Sequence, residues 1–167
     1  LKCRCERYVF TDVSTVFLNQ ARTRFADLPF LEYALFNVDA DPRLQGFEHR
    51  QCDVIVATNV LHATPTMRNT CHHCEVLLTL GGVLLTNEFM LTIAASQISM
   101  GLTDGWWLFA ETCDRDRIGQ DSPLLSWRQW EALLADSGFR HSYCMKGDTF
   151  LRGQAVVVAQ ALLSTCD

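Results

Sequence analysis

The chain has 167 residues, 49% of them hydrophobic, and a formal net charge of −5. This size and apolar content predict a single domain over residues 1–167, and the acidic balance excludes a nucleic acid partner, because phosphate contacts need a surplus of Lys and Arg. No apolar run approaches the roughly 20 residues of a membrane helix, so we expect a soluble, cytoplasmic protein without a membrane partner.

Strand and helix patterns alternate along the first third of the chain. An alternating strand over residues 7–13 carries Asp12 near its end, and Ser14 is a suitable N-cap for the amphipathic helix that follows. A second strand, residues 31–38, runs into Asp39. Acidic side chains therefore follow both of the first two predicted strands.

The candidate site residues gather at the end of the next strand. Residues 52–57 form a nearly continuous apolar run rich in β-branched residues, which is typical of a parallel strand covered on both faces. Thr58, Asn59 and His62 appear together just past its end. Ligands of open α/β sheets bind beyond the carboxyl ends of the strands, so these polar groups are candidate site residues, and His62 is the first of them.

The second half of the chain begins with a helix and a strand. We expect a helix over residues 64–80, with Gly81-Gly82 as its terminator, and then a strand over 83–86 that leads into Glu88. A helix and two strands that pair antiparallel are expected to close the chain: residues 127–137, 140–145 and 155–160.

Between these parts the patterning weakens. Residues 89–123 are interpreted as an insertion or lid, and they contain the adjacent rings of Trp106 and Trp107. The order of the remaining elements predicts an α/β fold with a doubly wound, Rossmann-like sheet and an antiparallel C-terminal strand pair.

The eight cysteines of the chain are interpreted as free thiols. Cys52 and Cys144 fall inside strand-like runs, which fits a reducing compartment better than a disulfide framework. The run Cys71-His72-His73-Cys74 contains four potential metal ligands, but on a helix only its two cysteines share a face. The sequence therefore predicts no metal.

Each candidate residue also has an ordinary structural interpretation. Asp12 could cap the following helix, and Asp39 could be a turn aspartate. A lone histidine such as His62 is more often structural, and only the acid that follows the neighbouring strand favours a functional role. Trp106 and Trp107 could form the core of the insertion instead of lining a substrate tunnel.

Several motifs together resemble the carbon-methyltransferase domain of polyketide synthases, a class I S-adenosylmethionine-dependent methyltransferase family. The resemblance covers about residues 7–160, and the order and spacing of the motifs are more specific than any one of them. The motifs are Phe10-Thr11-Asp12-Val13-Ser14, residues 53–64, Gly81-Gly82-Val83-Leu84-Leu85, Asp104-Gly105-Trp106-Trp107 and Pro123-Leu124-Leu125-Ser126 with Gln129-Trp130.

The resemblance implies S-adenosylmethionine as cofactor and a β-ketoacyl chain on an acyl carrier protein as substrate, with the other domains of a synthase as partners. By position, Asp12 is similar to the acid that accepts the ribose hydroxyls, Asp39 to an acidic residue beside the adenine, and Asn59 to a residue at the methionine end. His62 matches the catalytic histidine of the family and Glu88 its partner carboxylate. We expect His62→Ala to abolish methyl transfer and Glu88→Gln to be milder.

One departure from the family is expected to matter. Methyltransferases of this architecture begin with a strand and a Gly-rich cofactor loop, and nothing before Arg7 matches them. The strand at residues 7–13 and the strand that begins near Cys52 should then not pair directly. The chain is interpreted as the C-terminal portion of a larger domain, inactive by itself.

Two other functions stay open on the sequence. A non-catalytic pseudo-methyltransferase module of a megasynthase is favoured by the unmatched Gly-rich loop and opposed by the presence of both His62 and Glu88. A dinucleotide-binding oxidoreductase fragment needs the same Gly-rich loop and gains no support from that pair.

Overall fold

The computed structural model describes residues 5–92, 94–112, 114–145 and 153–163, with the backbone alone at 95 and 96. The chain divides into two compact units, Leu1–Asn37 and Val38–Asp167. The assignment of residues 1–167 to one domain, and of 89–123 to a lid, stays a prediction.

The first unit is a parallel strand pair joined by a helix. Strand β1 (Tyr8–Asp12) and strand β2 (Leu31–Leu35) pair in parallel with Tyr8 opposite Leu31, and helix α1 (Thr15–Arg24) connects them. The helix buries Leu18 and Ala21, which lie three positions apart on one face. These elements confirm the predicted strand, helix and strand.

The second unit contains a four-stranded sheet with helices and short 3₁₀ turns. Its elements are a 3₁₀ turn Pro42–Gln45, β3 Cys52–Thr58, a 3₁₀ turn Leu61–Ala63, α2 Met67–Leu77, β4 Leu78–Phe89, α3 Ala94–Met100, a 3₁₀ turn Asp104–Trp106, α4 Leu108–Glu111, α5 Trp127–Asp136, β5 Phe139–Met145 and β6 Gln154–Ala161. The sheet order is β3-β4-β6-β5, with β3 and β4 parallel and the other two pairs antiparallel. The α/β class and the antiparallel C-terminal pair are confirmed.

The boundary between α2 and β4 differs from the prediction. The helix ends at Leu77 instead of residue 80, and Leu78 already pairs with Cys52 in the sheet. Gly81-Gly82 lies inside strand β4, where Gly81 has φ 75° and its backbone N–H donates to the carbonyl of Leu162. The burial and strand pairing of Leu78 outweigh the helix-stop signal of the two glycines. Within the strand, the glycines instead permit a local irregularity.

Strand β3 is less covered than its apolar sequence predicts. Val54 and Val56 share one face and are 57% and 53% exposed, so the expectation of cover on both faces was wrong for the described residues. Among these residues β3 pairs with β4 alone. Strand β1 belongs to the other compact unit, so the prediction that β1 and β3 do not pair directly stays a prediction.

The core of the second unit lies between the sheet and helices α2 and α5. Helix α5 begins where Gln129 Oε1 accepts from the backbone N–H and the hydroxyl of Ser126, and it buries Trp130, Leu133 and Leu134. These side chains pack in one apolar cluster with Cys71 and other residues of α2 and the sheet. In the described residues, no helix has the length and apolar character needed to span a bilayer.

Candidate functional site

The site is built on the turn that follows strand β3. Asn59, the first residue after the strand, has φ 51°, a left-handed conformation that asparagine tolerates better than most residues. Its backbone N–H donates to the carbonyl of Asn87 on β4, and its side-chain Oδ1 accepts from Gln154 Nε2 at 3.3 Å. The chain thus turns sharply into the 3₁₀ turn that carries His62.

The carboxylate of Glu88 organises this turn. Glu88 lies near the end of β4 and is fully buried. Its Oε1 accepts from the backbone N–H groups of Val60 and Leu61, at 3.1 and 3.0 Å, and from the hydroxyl of Thr86 at 3.2 Å. A buried charge is tolerated where its lone pairs are occupied by donors, as they are here.

The second oxygen of the same carboxylate contacts the imidazole of His62. His62 Nδ1 lies 2.5 Å from Glu88 Oε2, and the histidine is buried. Because a carboxylate only accepts, we assign the proton of a neutral imidazole to Nδ1. That tautomer leaves the lone pair of Nε2 available as a base. The structure therefore brings together the two residues that the sequence placed at neighbouring strand ends.

An indole ring from the segment after β4 borders His62. The rings of Trp106 and His62 meet edge to face, with centroids 6.2 Å apart and an interplanar angle of 74°. Trp106 is buried, and its Nε1–H donates to Gln97 Oε1 at 3.1 Å. Trp107 is instead 40% exposed, stacks on Phe109 and donates its Nε1–H to the carbonyl of Gly101. Trp106 is thus the predicted substrate-lining residue whose ring contacts His62.

A buried ion pair reaches the same turn. Arg117 and Asp114 are both buried, and Arg117 Nε donates to Asp114 Oδ2 at 2.7 Å. Burial lowers the pKa of the Arg117 guanidinium below its ordinary value, although the hydrogen bond to Asp114 opposes this. No pattern in the sequence singled out this pair, nor Thr86 or Gln97. The run Asp114-Arg115-Asp116-Arg117, in a segment read as an insertion, was the available signal.

The two predicted cofactor acids lie in other segments. Asp12 ends β1 in the first unit, and its Oδ1 accepts from the backbone N–H of Ser14 at 2.8 Å. This contact is an Asx turn before helix α1 and not a cap of it, because Ser14 is itself the N-cap residue. Asp39 lies in a turn of the second unit.

The run Cys71-His72-His73-Cys74 lies on helix α2. Burial raises the pKa of both thiols, that of Cys74 to about 12. His73 Nδ1 is 2.7 Å from the carbonyl oxygen of Val38. Within the described ranges, no three side chains of His, Cys, Asp or Glu converge as a metal site would require.

Known proteins resemble this chain over most of its length. A protein-family model described as a methyltransferase domain matches residues 1–84. The polyketide synthase ThaQ of Burkholderia thailandensis is 36% identical over 154 residues, which cover 92% of this chain and 7% of that protein. The chain therefore spans a small part of this relative.

Solved structures extend the likeness to the fold. The CurJ carbon methyltransferase matches with a TM-score of 0.86 and 36% identity, over 93% of this chain and 42% of that one. The trans-methyltransferase CalH, in complex with SAH, matches with a TM-score of 0.80 and 29% identity over 93% and 42% of the two chains. Because the family model covers half of the sequence and these relatives align with nearly all of it, the chain belongs to the methyltransferase domain family, in the group of polyketide synthase carbon-methyltransferase domains.

Proposed function

We propose that the chain is part of a domain that transfers a methyl group from S-adenosylmethionine to the α-carbon of a β-ketoacyl chain, carried by an acyl carrier protein within a polyketide synthase. The observation that carries the proposal is the contact between His62 Nδ1 and Glu88 Oε2, in a buried position after two parallel strands. We call the polypeptide in which the chain acts the parent synthase. The partners of the chain are the other domains of this synthase.

The side chains at the strand ends fit the chemistry of this cofactor. Ribose hydroxyls and amino groups are donors, and the predicted cofactor residues supply acceptors: the carboxylates of Asp12 and Asp39 and the amide oxygen of Asn59. We propose that Asp12 accepts from ribose, Asp39 lies towards the adenine and Asn59 towards the methionine end. When bound, S-adenosylmethionine supplies an electrophilic methyl group on a positively charged sulfur.

His62 is proposed as the general base. The α-carbon of a β-keto thioester is acidic because the resulting enolate is delocalised over two carbonyl groups. The lone pair of His62 Nε2 takes the α-proton, and the electron pair of the broken C–H bond enters the enolate. The carbon that has lost its proton is then the nucleophile. Burial of His62 excludes water, which could otherwise return a proton to that carbon.

Glu88 is proposed to support the base in two ways. Its Oε2 holds the Nδ1–H tautomer, and its negative charge stabilises the imidazolium that forms when Nε2 accepts the proton. Its Oε1 meanwhile holds the backbone N–H groups of Val60 and Leu61, so ring and turn are fixed by the same carboxylate. The base is thus oriented before substrate arrives.

The test is methyl transfer by the parent synthase. A β-ketobutyryl thioester of pantetheine is incubated with labelled S-adenosylmethionine, and the product is examined by mass spectrometry and NMR for a methyl branch at the α-carbon. We expect His62→Ala to lower turnover by at least about 10²-fold with little change in cofactor affinity. His72→Ala is the control, because His72 is exposed on helix α2 and should leave turnover unchanged.

Two results would contradict the proposal. Wild-type turnover by His62→Ala would place the base elsewhere. A wild-type synthase that transfers no methyl group to any β-ketoacyl thioester, although its ketosynthase is active, would instead favour a non-catalytic structural module.

A further inference from the structure

The guanidinium of Arg117 makes an unusual set of contacts for a buried arginine. Nη1 donates to the carbonyl of His62 at 2.8 Å, and Nη2 donates to the carbonyls of Thr64 and Pro65 at 2.6 and 3.1 Å. Only Nε is used for its ion-pair partner, Asp114. Most of the donors of this buried cation are therefore directed at the backbone that carries His62.

This turn is held from both of its polar sides. The N–H groups of Val60 and Leu61 donate to Glu88 Oε1. The carbonyl groups of His62, Thr64 and Pro65 accept from Arg117. The side chains of Glu88 and Arg117 are both fully buried, so water does not compete for their hydrogen bonds to this turn. A three-residue 3₁₀ turn has few internal hydrogen bonds, and these two side chains supply what it lacks.

We propose that Arg117 is a positioning residue for His62. It fixes the backbone of residues 61–65, so that His62 Nδ1 keeps its hydrogen bond to Glu88 and Nε2 faces the substrate. The inference rests on the proposed role of His62 as base. Asp114 has a supporting part. Its Oδ2 accepts from Arg117 Nε and from the backbone N–H of Met67, the first residue of α2.

A plain structural ion pair is the competing explanation. Buried ion pairs contribute little net stability, since desolvation offsets most of the Coulomb attraction, and neutral replacements of similar shape are often tolerated. The two explanations therefore differ for a variant in which both charges are removed together. A structural pair should be dispensable in that variant, whereas a positioning arginine should not.

The experiment compares four variants in the parent synthase. Arg117→Met removes the donors but keeps an unbranched chain of similar length. The double variant Arg117→Met with Asp114→Asn also removes the charge that would be left unpaired, and it keeps an acceptor for Met67 N–H. Arg117→Lys keeps the charge without the fork that reaches several carbonyls. Arg115→Met is the matched control, because Arg115 is an exposed arginine two residues away.

Two activities are measured, with thermal unfolding as the check on folding. The first is methyl transfer, as kcat and as KM for the thioester and for the cofactor. The second is exchange of the α-proton of the same thioester with D₂O, followed by NMR without cofactor and corrected for exchange in buffer. This second activity reports on the base alone, and it must be lost in His62→Ala if His62 is the base.

We expect the double variant to fold but to lose about 10- to 10²-fold in kcat and in α-proton exchange, with both KM values nearly unchanged, since a small displacement of a catalytic group is costly. Arg117→Lys should lie between it and the wild type, and Arg115→Met should equal the wild type. A folded double variant, or a folded Arg117→Lys, with wild-type kcat would overturn the inference. If α-proton exchange survives in His62→Ala, the proposed function fails instead, which separates the two failures.

Discussion

The two oxygens of the Glu88 carboxylate contact different groups. Oε2 lies 2.5 Å from His62 Nδ1. Oε1 accepts hydrogen bonds from the backbone N–H groups of Val60 and Leu61 and from the hydroxyl of Thr86. This division makes the two oxygens inequivalent. An amide at position 88 has one oxygen and one NH₂ group, so it cannot satisfy both sides as the carboxylate does.

The first prediction is that Glu88→Gln is severe. The backbone N–H groups require the amide oxygen on their side, which turns the NH₂ group towards His62 Nδ1. The imidazole then accepts at Nδ1 and carries its proton on Nε2, so the base is lost. The sequence alone suggested a milder effect than that of His62→Ala, because an amide can still orient the ring although it cannot stabilise its positive charge; the contacts of Oε1 change that expectation.

We expect kcat for methyl transfer by Glu88→Gln to fall by about 10²-fold or more. The measurement is single-turnover methyl transfer at saturating cofactor. Glu131→Gln, at an exposed position on α5, is the control. A kcat close to wild type for Glu88→Gln would show that His62 does not depend on this tautomer.

The second prediction separates the two adjacent tryptophans. Trp106→Ala should lower kcat/KM for the β-ketoacyl thioester by about 10-fold or more, because the ring that borders His62 is removed. Trp106→Phe should retain most of the activity, since an aromatic edge remains. Trp107→Ala should have the smaller effect on kcat/KM, as Trp107 packs on Phe109 and is partly exposed. Equal losses in both alanine variants would contradict the distinction.

The third prediction concerns the thiols of helix α2. Cys71 and Cys74 are buried, and burial raises the pKa of each above its ordinary value, so few thiolates are present near neutrality. Iodoacetamide at pH 8 should leave both unmodified in the native protein and modify both after denaturation. The thiol of Cys5 lies at a partly exposed position and should react before Cys71 and Cys74 do. Rapid native alkylation of Cys74 would contradict the packing of this helix.

The same thiols give a pH dependence of stability. The folded-state pKa of Cys74, about 12, lies above its ordinary value of 9.0, so folding favours the protonated thiol. This contribution is complete below pH 9 and is lost as the pH rises from 9 towards 12. The urea midpoint of Cys74→Ala should therefore fall less between pH 8 and pH 10 than that of the wild type. Parallel declines would contradict this linkage.

The fourth prediction concerns the core beneath the site. Trp130 of α5 is fully buried in the cluster formed with α2 and the sheet. Trp130→Ala should lower the free energy of unfolding by about 3–5 kcal/mol, through lost apolar burial and the cavity that remains. Ile118→Ala, at a largely exposed position, should change it by about 0.5 kcal/mol or less. The measurement is urea unfolding monitored by far-UV circular dichroism, a signal that does not rely on the fluorescence of Trp130.

The sequence determined the local elements well where periodicity and caps agreed. Helix α5 (Trp127–Asp136) lies where a helix over residues 127–137 was predicted, between Ser126 and Gly138. The sequence also placed His62 and Glu88 at the ends of neighbouring strands, since each lies a few residues beyond an apolar run. That much is encoded locally, because strand and helix periods and end signals involve residues close in the chain.

The tertiary structure decided what depends on partners distant in sequence. Gly81-Gly82 looks like a helix stop, yet Leu78 pairs with Cys52, and this pairing begins β4 before the glycines. The role of Arg117 was hidden for the same reason, since the carbonyl of His62 that it binds lies 55 positions earlier in the chain. No local pattern specifies which backbone groups a buried cation will meet; only the packed fold, which must satisfy every buried polar group, decides it.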